Sequence, residues 1–337
     1  MFNVVEEKLA VSSVRLWSGI GCLLFAVLIS ARAEAQAQPY PARPIRFIVP
    51  TTPAGPTDTL ARVIAAHLSK TLGQQVIVDN RSGAGGRIGL EAASKSAADG
   101  HTIFMGSQGN LTVHPALHHK LPYDLEKDFA PIVLLVRVRY LLLVNPRVPA
   151  NDLRDLLHLV RASPGQLNFA SAGKGSSGHI AAELLQRMAK VDFVHVQYKG
   201  SGPALSALIS GEVQLMFQSP IVGAPFVRSG QLKPIAISAP RRSPLFPAVP
   251  TFEESGLTDF EVSTWFGILT RAGVSAAIVR RLNEEINRVL LLEEVRTRLE
   301  TLDAEPAGGS ISEFAAHIRS ERVKWAKVIR ETGIVID

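Results

Sequence analysis

The feature that most constrains the fold is a repeated alternation of short β-branched runs with helical patterns. PIRFIVP (residues 44–50) precedes a helical pattern at 57–72, QVIVD (75–79) precedes one at 87–97, and HTIFMGS follows at 101–107. Strands that alternate with helices in this way are usually parallel, with the helices packed on the faces of the sheet. The sequence therefore predicts an α/β protein with a mostly parallel sheet.

A second alternation begins after a long apolar stretch at residues 131–146. It comprises predicted strands at 167–171, 193–198, 213–217 and 234–238, and predicted helices at 153–161, 177–189 and 203–210. Another long strand at 260–270 leads to helices at 275–292 and 312–332. Because both long strands can pass from one sheet to the other, we expect a hinge and a cleft between two lobes. The first lobe is predicted to hold residues 36–142 with 262–337, and the second residues 143–261.

The N-terminal segment has the pattern of an export sequence. An apolar run at residues 16–29 is followed by AEA at 33–35, which matches an A-x-A cleavage site, so residues 1–35 are predicted to be a signal peptide. Cys22, the only cysteine, lies inside this segment. We therefore expect a periplasmic mature chain without cysteine, which excludes a thiol nucleophile, a disulfide framework and a cysteine-bound metal.

Charge and histidine spacing narrow the possible ligands further. The net charge is +6, but the basic residues are spread along helices, which favours a surface that attracts small anions over a nucleic-acid face. His114, His118 and His119 lie in a Pro-containing stretch without metal-ligand spacing, so we interpret them as solvated loop histidines. We expect no metal and no cofactor.

The stretch GKGSSGH (residues 173–179) has the spacing GxGxxG between a predicted strand and a predicted helix. A dinucleotide site would also need an acid at the end of the next strand, but that strand ends in Gln197, Tyr198 and Lys199. A phosphate-binding Walker loop is excluded because Lys174 is followed by Gly175. Glycines before a helix start still expose backbone N–H groups, so a small-anion site is predicted.

TTPAGPTDTLAR (residues 51–62) repeats this design in the other predicted lobe. Pro53, Gly55 and Pro56 form the turn, and Thr57 and Asp58 begin the helix. Two helix starts that face each other across a cleft would hold a carboxylate.

Two further segments are candidates for the same cleft. Ser107 and Asn110 end a strand at the sheet edge where α/β proteins place ligands, so a ligand contact and an ordinary loop bond are both open. The Gly-rich NRSGAGGRIG (80–89) is interpreted as a structural turn that does not face the cleft.

Two alternatives to a small-acid binding protein are considered. An exported hydrolase could use Ser176 or Ser177, and Ser176, His179 and Asp192 are triad residue types. However, no GxSxG is present, and Ser177 and His179 are two apart on one helix and point in different directions. A basic surface protein could instead bind polyanions, with steep salt dependence.

Taken together, RPIRFIVP, PAGPTDTLAR, VDNRSGAGGRIG, FASAGKGSSGHIAAELL and VQYKGSGPAL resemble the Bug family, the substrate-binding proteins of tripartite tricarboxylate transporters. The resemblance covers essentially the whole mature chain. It implies a two-lobed, type II periplasmic binding protein that closes over a small carboxylate such as an amino acid, a di- or tricarboxylate or an aromatic acid. It also implies delivery to membrane permease subunits or a sensor kinase. We expect a monomer without enzymatic activity.

The resemblance also implies which residues bind the ligand. The two glycine-rich loops contribute Ala54, Gly55, Pro56, Thr57, Asp58, Gly173, Ser176, Ser177 and His179, and we add Ser107, Asn110, Ser201 and Gln218. Ala54 and Gln218 depart from the family pattern, in which a Gly and often an Asp stand at these positions. A neutral side chain at Gln218 argues against a ligand amine there.

Overall fold

Two sheets flanked by helices organise the chain in the computed structural model, which describes residues 40–117, 121–260 and 262–332. The first elements are β1 (Ile45–Val49), α1 (Pro56–Leu72), β2 (Val76–Asn80), α2 (Arg87–Ser94), β3 (Thr102–Ser107), a π-helical turn (Gly109–Val113), α3 (His114–Leu117) and β4 (Phe129–Arg139). The predicted signal peptide lies outside the described residues. Within the described stretches, no helix is long and apolar enough to cross a membrane.

The remaining elements form a second layered unit and a return to the first. They are β5 (Leu141–Val144), α4 (Leu153–Ala162), β6 (Asn168–Ser171), α5 (Ser177–Ala189), β7 (Val194–Gln197), α6 (Ser201–Ser210), β8 (Leu215–Gln218), α7 (Pro220–Arg228) and β9 (Lys233–Ile237). The chain then returns through β10 (Ser263–Arg271), α8 (Ala276–Leu291), α9 (Glu293–Thr301), β11 (Ala304–Pro306) and α10 (Ile311–Thr332).

The strand order separates the two sheets completely. The first sheet has the order β11-β4-β10-β3-β1-β2, with β1 parallel to β2 and β3, and β10 antiparallel to β3 and β4. The second has the order β7-β6-β8-β5-β9, with β6 parallel to β7 and β8, and β5 antiparallel to β8 and β9. The predicted α/β class is confirmed, and one antiparallel strand crosses the interior of each sheet.

Helix α1 shows how the sequence pattern produces this packing. Leu60, Ile64 and Leu68 form the expected apolar stripe and are fully buried. Each such burial contributes about 1.5–3 kcal/mol. Pro56 occupies the first helical position, and Gly73 ends the helix in the left-handed region at φ 67°. The helix therefore begins directly after the loop that follows β1.

The chain crosses between the sheets at Tyr140 and next to Val262, and Ser238 joins the two crossings. The predicted strand at 131–146 is interrupted at Tyr140, which separates β4 from β5. The Tyr140 N–H donates to Ser238 Oγ (2.9 Å), and the Ser238 N–H donates to the Tyr140 carbonyl (2.8 Å). The Ser238 hydroxyl donates to the Val262 carbonyl. We call Tyr140, Ser238 and Val262 the hinge triplet.

Helices α7 and α9 were not predicted from the sequence. In α7, Pro220 stands at the first position and Pro225 in the interior, a composition typical of loops. Ser219 nevertheless caps the helix, because its Oγ accepts the Ile221 N–H at 3.1 Å.

Candidate functional site

A cavity of about 870 Å³ lies where the parallel strands of both sheets end. Its walls come from the loops that follow β1, β2 and β3 on one side, and from the loops that follow β6 and β7 with the end of β8 on the other. Parallel strands present their carboxyl ends at one edge, so their connecting loops gather there, and α/β proteins bind ligands at this edge. The cavity is therefore the candidate binding site.

In the described part of the chain, four helices of eight or more residues begin at the wall of this cavity, and the shorter α3 continues the π-helical turn there. The lining residues at these starts are Pro56 and Thr57 of α1, Arg87 of α2, Ser177 and Gly178 of α5, and Ser201 of α6. The first N–H groups of a helix have no partner inside the helix and carry the positive end of its dipole. The two glycine-rich loops predict the starts of α1 and α5, and the structure adds those of α2 and α6. This arrangement favours an anionic ligand.

The loop between β6 and α5 is fixed in shape by hydrogen bonds from behind. The Gly173 N–H donates to Ser171 Oγ (3.2 Å), and Ser171 Oγ lies 2.7 Å from His195 Nε2. The Gly175 N–H donates to His179 Nδ1 (3.2 Å). Ser176 caps α5, since its Oγ accepts the His179 N–H at 3.4 Å. These bonds hold the loop without using the N–H groups of Ser177 and Gly178.

The rings of His179 and His195 stack behind this loop. Their centroids are 4.2 Å apart, and the His195 ring also stacks on Phe169 at 4.6 Å. Burial lowers the pKa of His179 to about 3, aided by repulsion from the nearby basic groups of His195, Lys174 and His114 when these are protonated. Burial and the charge of Lys174 lower the pKa of His195 to about 4. Both rings are therefore neutral at pH 7, and His179 acts as a hydrogen-bond acceptor for the loop.

The loop between β1 and α1 is organised by Asp58. Its buried carboxylate accepts hydrogen bonds from the Ala54 N–H (2.9 Å), from Arg62 Nε (2.9 Å) and from Asn80 Nδ2 (3.0 Å). Burial raises the pKa of Asp58, but the bonds from Arg62, Ala54 and Asn80 outweigh this effect and lower the pKa below its usual value. Asp58 is thus an ionised support for the turn, in which Ala54 is left-handed at φ 61°.

Two interpretations of the sequence are wrong in this region. The loop in NRSGAGGRIG faces the cavity, because residues 82–87 line it. The physical reason is that β1 and β2 are parallel neighbours, so the loops after them leave the same edge. His114 is not solvated: it is only 2% exposed, begins α3 and lines the cavity. His118 and His119 lie outside the described residues.

The two sides of the cavity touch each other. Ser177 Oγ of α5 lies 3.4 Å from Thr264 Oγ1 of β10. Gly109 packs so closely on α5 that a Cβ there would lie 3.2 Å from Ser177 Oγ. A Cβ on Gly200 would lie 2.4 Å from Thr52 Oγ1. These contacts join elements of both sheets across the cleft.

Nine of the thirteen predicted ligand-binding residues line the cavity. They are Pro56, Thr57, Ser107, Asn110, Gly173, Ser176, Ser177, Ser201 and Gln218. Ala54, Gly55, Asp58 and His179 are absent from the wall and support the loops instead. Sequence reasoning missed Tyr140 and Thr264, which also line the cavity. Their position at the crossings between the sheets is the feature that could have identified them.

The charge of the wall is positive. Arg87, Lys174 and Lys199 line the cavity, and among the described residues no Asp or Glu does. Tyr140 is buried, which raises the pKa of its hydroxyl to about 12, so this group stays protonated. The wall therefore offers donors and positive charge to a ligand.

Comparison with known proteins gives consistent matches over most of the chain. A family model described as "Tripartite tricarboxylate transporter family receptor" matches residues 60–334. The protein BugT of Bordetella pertussis is 38% identical over 320 residues, which span 95% of this chain and 98% of BugT.

Solved structures match both sheets. An R. palustris protein with adipate is 34% identical with a TM-score of 0.86, covering 88% of this chain and 99% of that chain. MatC from Rhodopseudomonas palustris with bound malate is 37% identical with a TM-score of 0.82, covering 86% and 100%. Similar structures are those of periplasmic binding proteins, which confirms the predicted two-lobed fold.

Proposed function

The chain belongs to the tripartite tricarboxylate transporter receptor family, and from this premise we propose that its cavity captures a small carboxylate between the two lobes. The family consists of solute-binding proteins, and two similar structures contain adipate and malate. The observation that carries the proposal is the convergence of four helix starts on a cavity without a lining acid among the described residues.

The available contacts are sufficient in number for useful affinity. A hydrogen bond to a charged group contributes about 1.5–3 kcal/mol net, and a helix terminus about 0.3–1 kcal/mol. Micromolar binding needs about 8 kcal/mol, so three or four such contacts would supply it. The N–H groups of Ser177 and Gly178 are suited to this role because the bonds that fix the loop do not consume them.

We assign direct ligand contact to the nine lining residues of the predicted set, and loop support to Ala54, Gly55, Asp58 and His179. The distinction rests on the hydrogen bonds that occupy the Asp58 carboxylate and His179 Nδ1. The thirteen residues thus have two different roles in the same proposal.

Binding without turnover is part of the proposal. A hydrolase would need a histidine base directed at Ser176 or Ser177, but His179 Nδ1 accepts the Gly175 N–H and His179 Nε2 lies 3.6 Å from Glu183 Oε1. Ser177 Oγ instead lies near Thr264 Oγ1. This geometry favours a binding site over a nucleophile with its base.

The setting is inferred from the sequence and the family. We propose that residues 1–35 direct export, that the mature protein works in the periplasm as a monomer, and that it presents its ligand to permease subunits or a sensor kinase. Export is supported by the apolar run and the A-x-A pattern.

A thermal-shift screen of the purified protein tests the function. Malate, succinate, adipate, citrate and benzoate would be added at millimolar concentration, with succinamide and adipamide as neutral controls. A ligand at 100 times its dissociation constant adds about 2.7 kcal/mol of stability, so a saturable rise in Tm is expected for one or two acids. No shift with any acid, or an equal shift with heparin, would contradict the proposal.

A further inference from the structure

Asn110 presents an amide donor to the cavity from the side of the first sheet. This side chain is 4% exposed and belongs to the π-helical turn after β3. The Ser107 N–H donates to Asn110 Oδ1 at 2.8 Å, so the oxygen is occupied by a group that can only donate. The described part of the chain provides no acceptor for Asn110 Nδ2. Because Asn110 lines the cavity, its amide group is fixed with the donor end available to a ligand.

Gln218 repeats this arrangement from the side of the second sheet. It ends β8, is 2% exposed and lines the cavity. The Ser219 N–H donates to Gln218 Oε1 at 2.8 Å, so the amide oxygen is again the atom that is already hydrogen-bonded. Gln218 Nε2 has two hydrogens, and its described contact is Met216 Sδ at 4.0 Å, a weak acceptor. At least one strong N–H donor of Gln218 is therefore left for a ligand.

The charged side chains around the two amides, like the amide N–H donors themselves, favour an anionic ligand. Arg87, Lys174 and Lys199 line the cavity, and among the described residues no carboxylate does. An ammonium group that enters such a site loses water without gaining a counter-charge, which is costly. A carboxylate gains donors from either lobe. The wall thus distinguishes a ligand amine from a ligand carboxylate.

We propose that Asn110 and Gln218 act as fixed donors that select a dicarboxylate without an amino group over the amino acid of the same carbon skeleton. This inference rests on the proposed function and names its ligand class. It makes Asn110 and Gln218 specificity-determining residues, whereas the helix starts hold any carboxylate.

Isothermal titration of the wild-type protein with matched acid pairs tests the inference. The pairs are succinate and L-aspartate, glutarate and L-glutamate, and adipate and L-2-aminoadipate, which differ within each pair by one amino group. For the pair that binds best, the acid without the amine is expected to bind at least about tenfold more tightly. Equal affinity within about twofold would overturn the inference while leaving carboxylate capture intact.

Two substitutions test the role of the amides. Gln218→Glu and Asn110→Asp keep an oxygen for the Ser219 and Ser107 N–H groups but replace each donor by a charged acceptor. Each variant is expected to bind the dicarboxylate at least about tenfold more weakly and to narrow or invert the preference within the pair. The matched controls are Gln166→Glu and Asn151→Asp, which change exposed residues and should keep the wild-type ratio.

The outcomes separate the inference from the function on which it rests. Circular dichroism and urea unfolding establish whether each variant is folded. If a variant is not folded, the inference is tested by the wild-type protein alone, from its affinity for the acid relative to the matching amino acid. Folded variants that keep the wild-type ratio would overturn the assignment to Asn110 and Gln218. Binding of neither member of any pair would overturn carboxylate capture itself.

Discussion

At the scale of single residues, His179 illustrates how a residue can serve a binding loop without lining the cavity. The family resemblance implied that His179 contacts the ligand. In the structure its Nδ1 accepts the Gly175 N–H from behind the loop, and its ring stacks on His195. Sequence spacing locates such a residue near the site, but the side of the loop on which the ring lies depends on tertiary packing.

The histidine pair predicts a pH dependence of stability. The unfolded chain binds a proton at each histidine near pH 6.5, whereas the folded protein binds it only near pH 4 at His195 and near pH 3 at His179. Protons therefore favour the unfolded chain in this window, so stability is complete above about pH 6.5 and falls as the pH is lowered. The slope approaches about 1.4 kcal/mol per pH unit for each such histidine.

Urea unfolding of the wild type and of His195→Phe between pH 7 and 5 measures this effect. Phenylalanine preserves the stack on Phe169 but does not titrate, so the variant should show a smaller slope. The control is His158→Phe, which changes an exposed histidine on α4. A variant that retains the wild-type slope would show that His195 is not a source of the pH dependence.

At the scale of secondary-structure elements, the hinge triplet links two chain crossings that are far apart in sequence. Ser238 follows β9, Tyr140 separates β4 from β5, and Val262 precedes β10. Because Ser238 is 3% exposed, its hydrogen bonds to Tyr140 and Val262 are shielded from water. A single side chain thus fixes the spacing between the two crossings.

Ser238→Ala is expected to lower the free energy of unfolding by about 1–3 kcal/mol, because the buried Tyr140 N–H loses its acceptor. Urea denaturation of the ligand-free protein measures the change. Ser229→Ala is the matched control, since the Ser229 hydroxyl is exposed and donates to the Phe226 carbonyl at 3.2 Å. Equal stability of both variants would contradict a supporting role for Ser238.

The elements also show which parts of the fold are readable from sequence. The buried stripe of α1 and the alternation of strands and helices predicted the class, and α5 begins and ends where expected, at Ser177 and Ala189. Helix α7 was missed because its prolines are typical of loops. The loop at 82–87 was misplaced because strand order, rather than local composition, decides which loops share an edge.

At the scale of the whole molecule, closure depends on how closely the two sides of the cleft approach. Gly109 lies against α5, where a Cβ would be 3.2 Å from Ser177 Oγ and 3.3 Å from the Gly175 carbonyl. These distances are shorter than ordinary van der Waals contact. The absence of a side chain at Gly109 therefore allows the two lobes to meet.

Gly109→Ala is expected to weaken binding of the best acid from the thermal screen by about tenfold or more, because the added methyl group opposes closure. The ligand-free protein should keep its unfolding free energy within about 1 kcal/mol. Titration calorimetry measures affinity, and small-angle X-ray scattering with and without the acid measures compaction. Gly202→Ala is the control, since nothing lies within 4 Å of a Cβ there. Unchanged affinity and compaction in Gly109→Ala would contradict a role for Gly109 in closure.

The site as a whole was predictable in outline only. Glycine-rich loops before helices identified two of the four helix starts, since these loops have a recognisable local composition. Tyr140 and Thr264 line the cavity because the chain crosses between the sheets beside them, a relation that only the assembled topology defines.

The helix starts around the cavity have a consequence for how such a protein can change during evolution. Every residue except proline has a backbone N–H group, so most point mutations keep the helix-start donors that bind a carboxylate. On the role proposed for Asn110 and Gln218, by contrast, a single substitution at either position changes which acid is preferred. The ligand preference of proteins with this fold can therefore change through a few side-chain substitutions, while the backbone groups that hold the carboxylate stay the same.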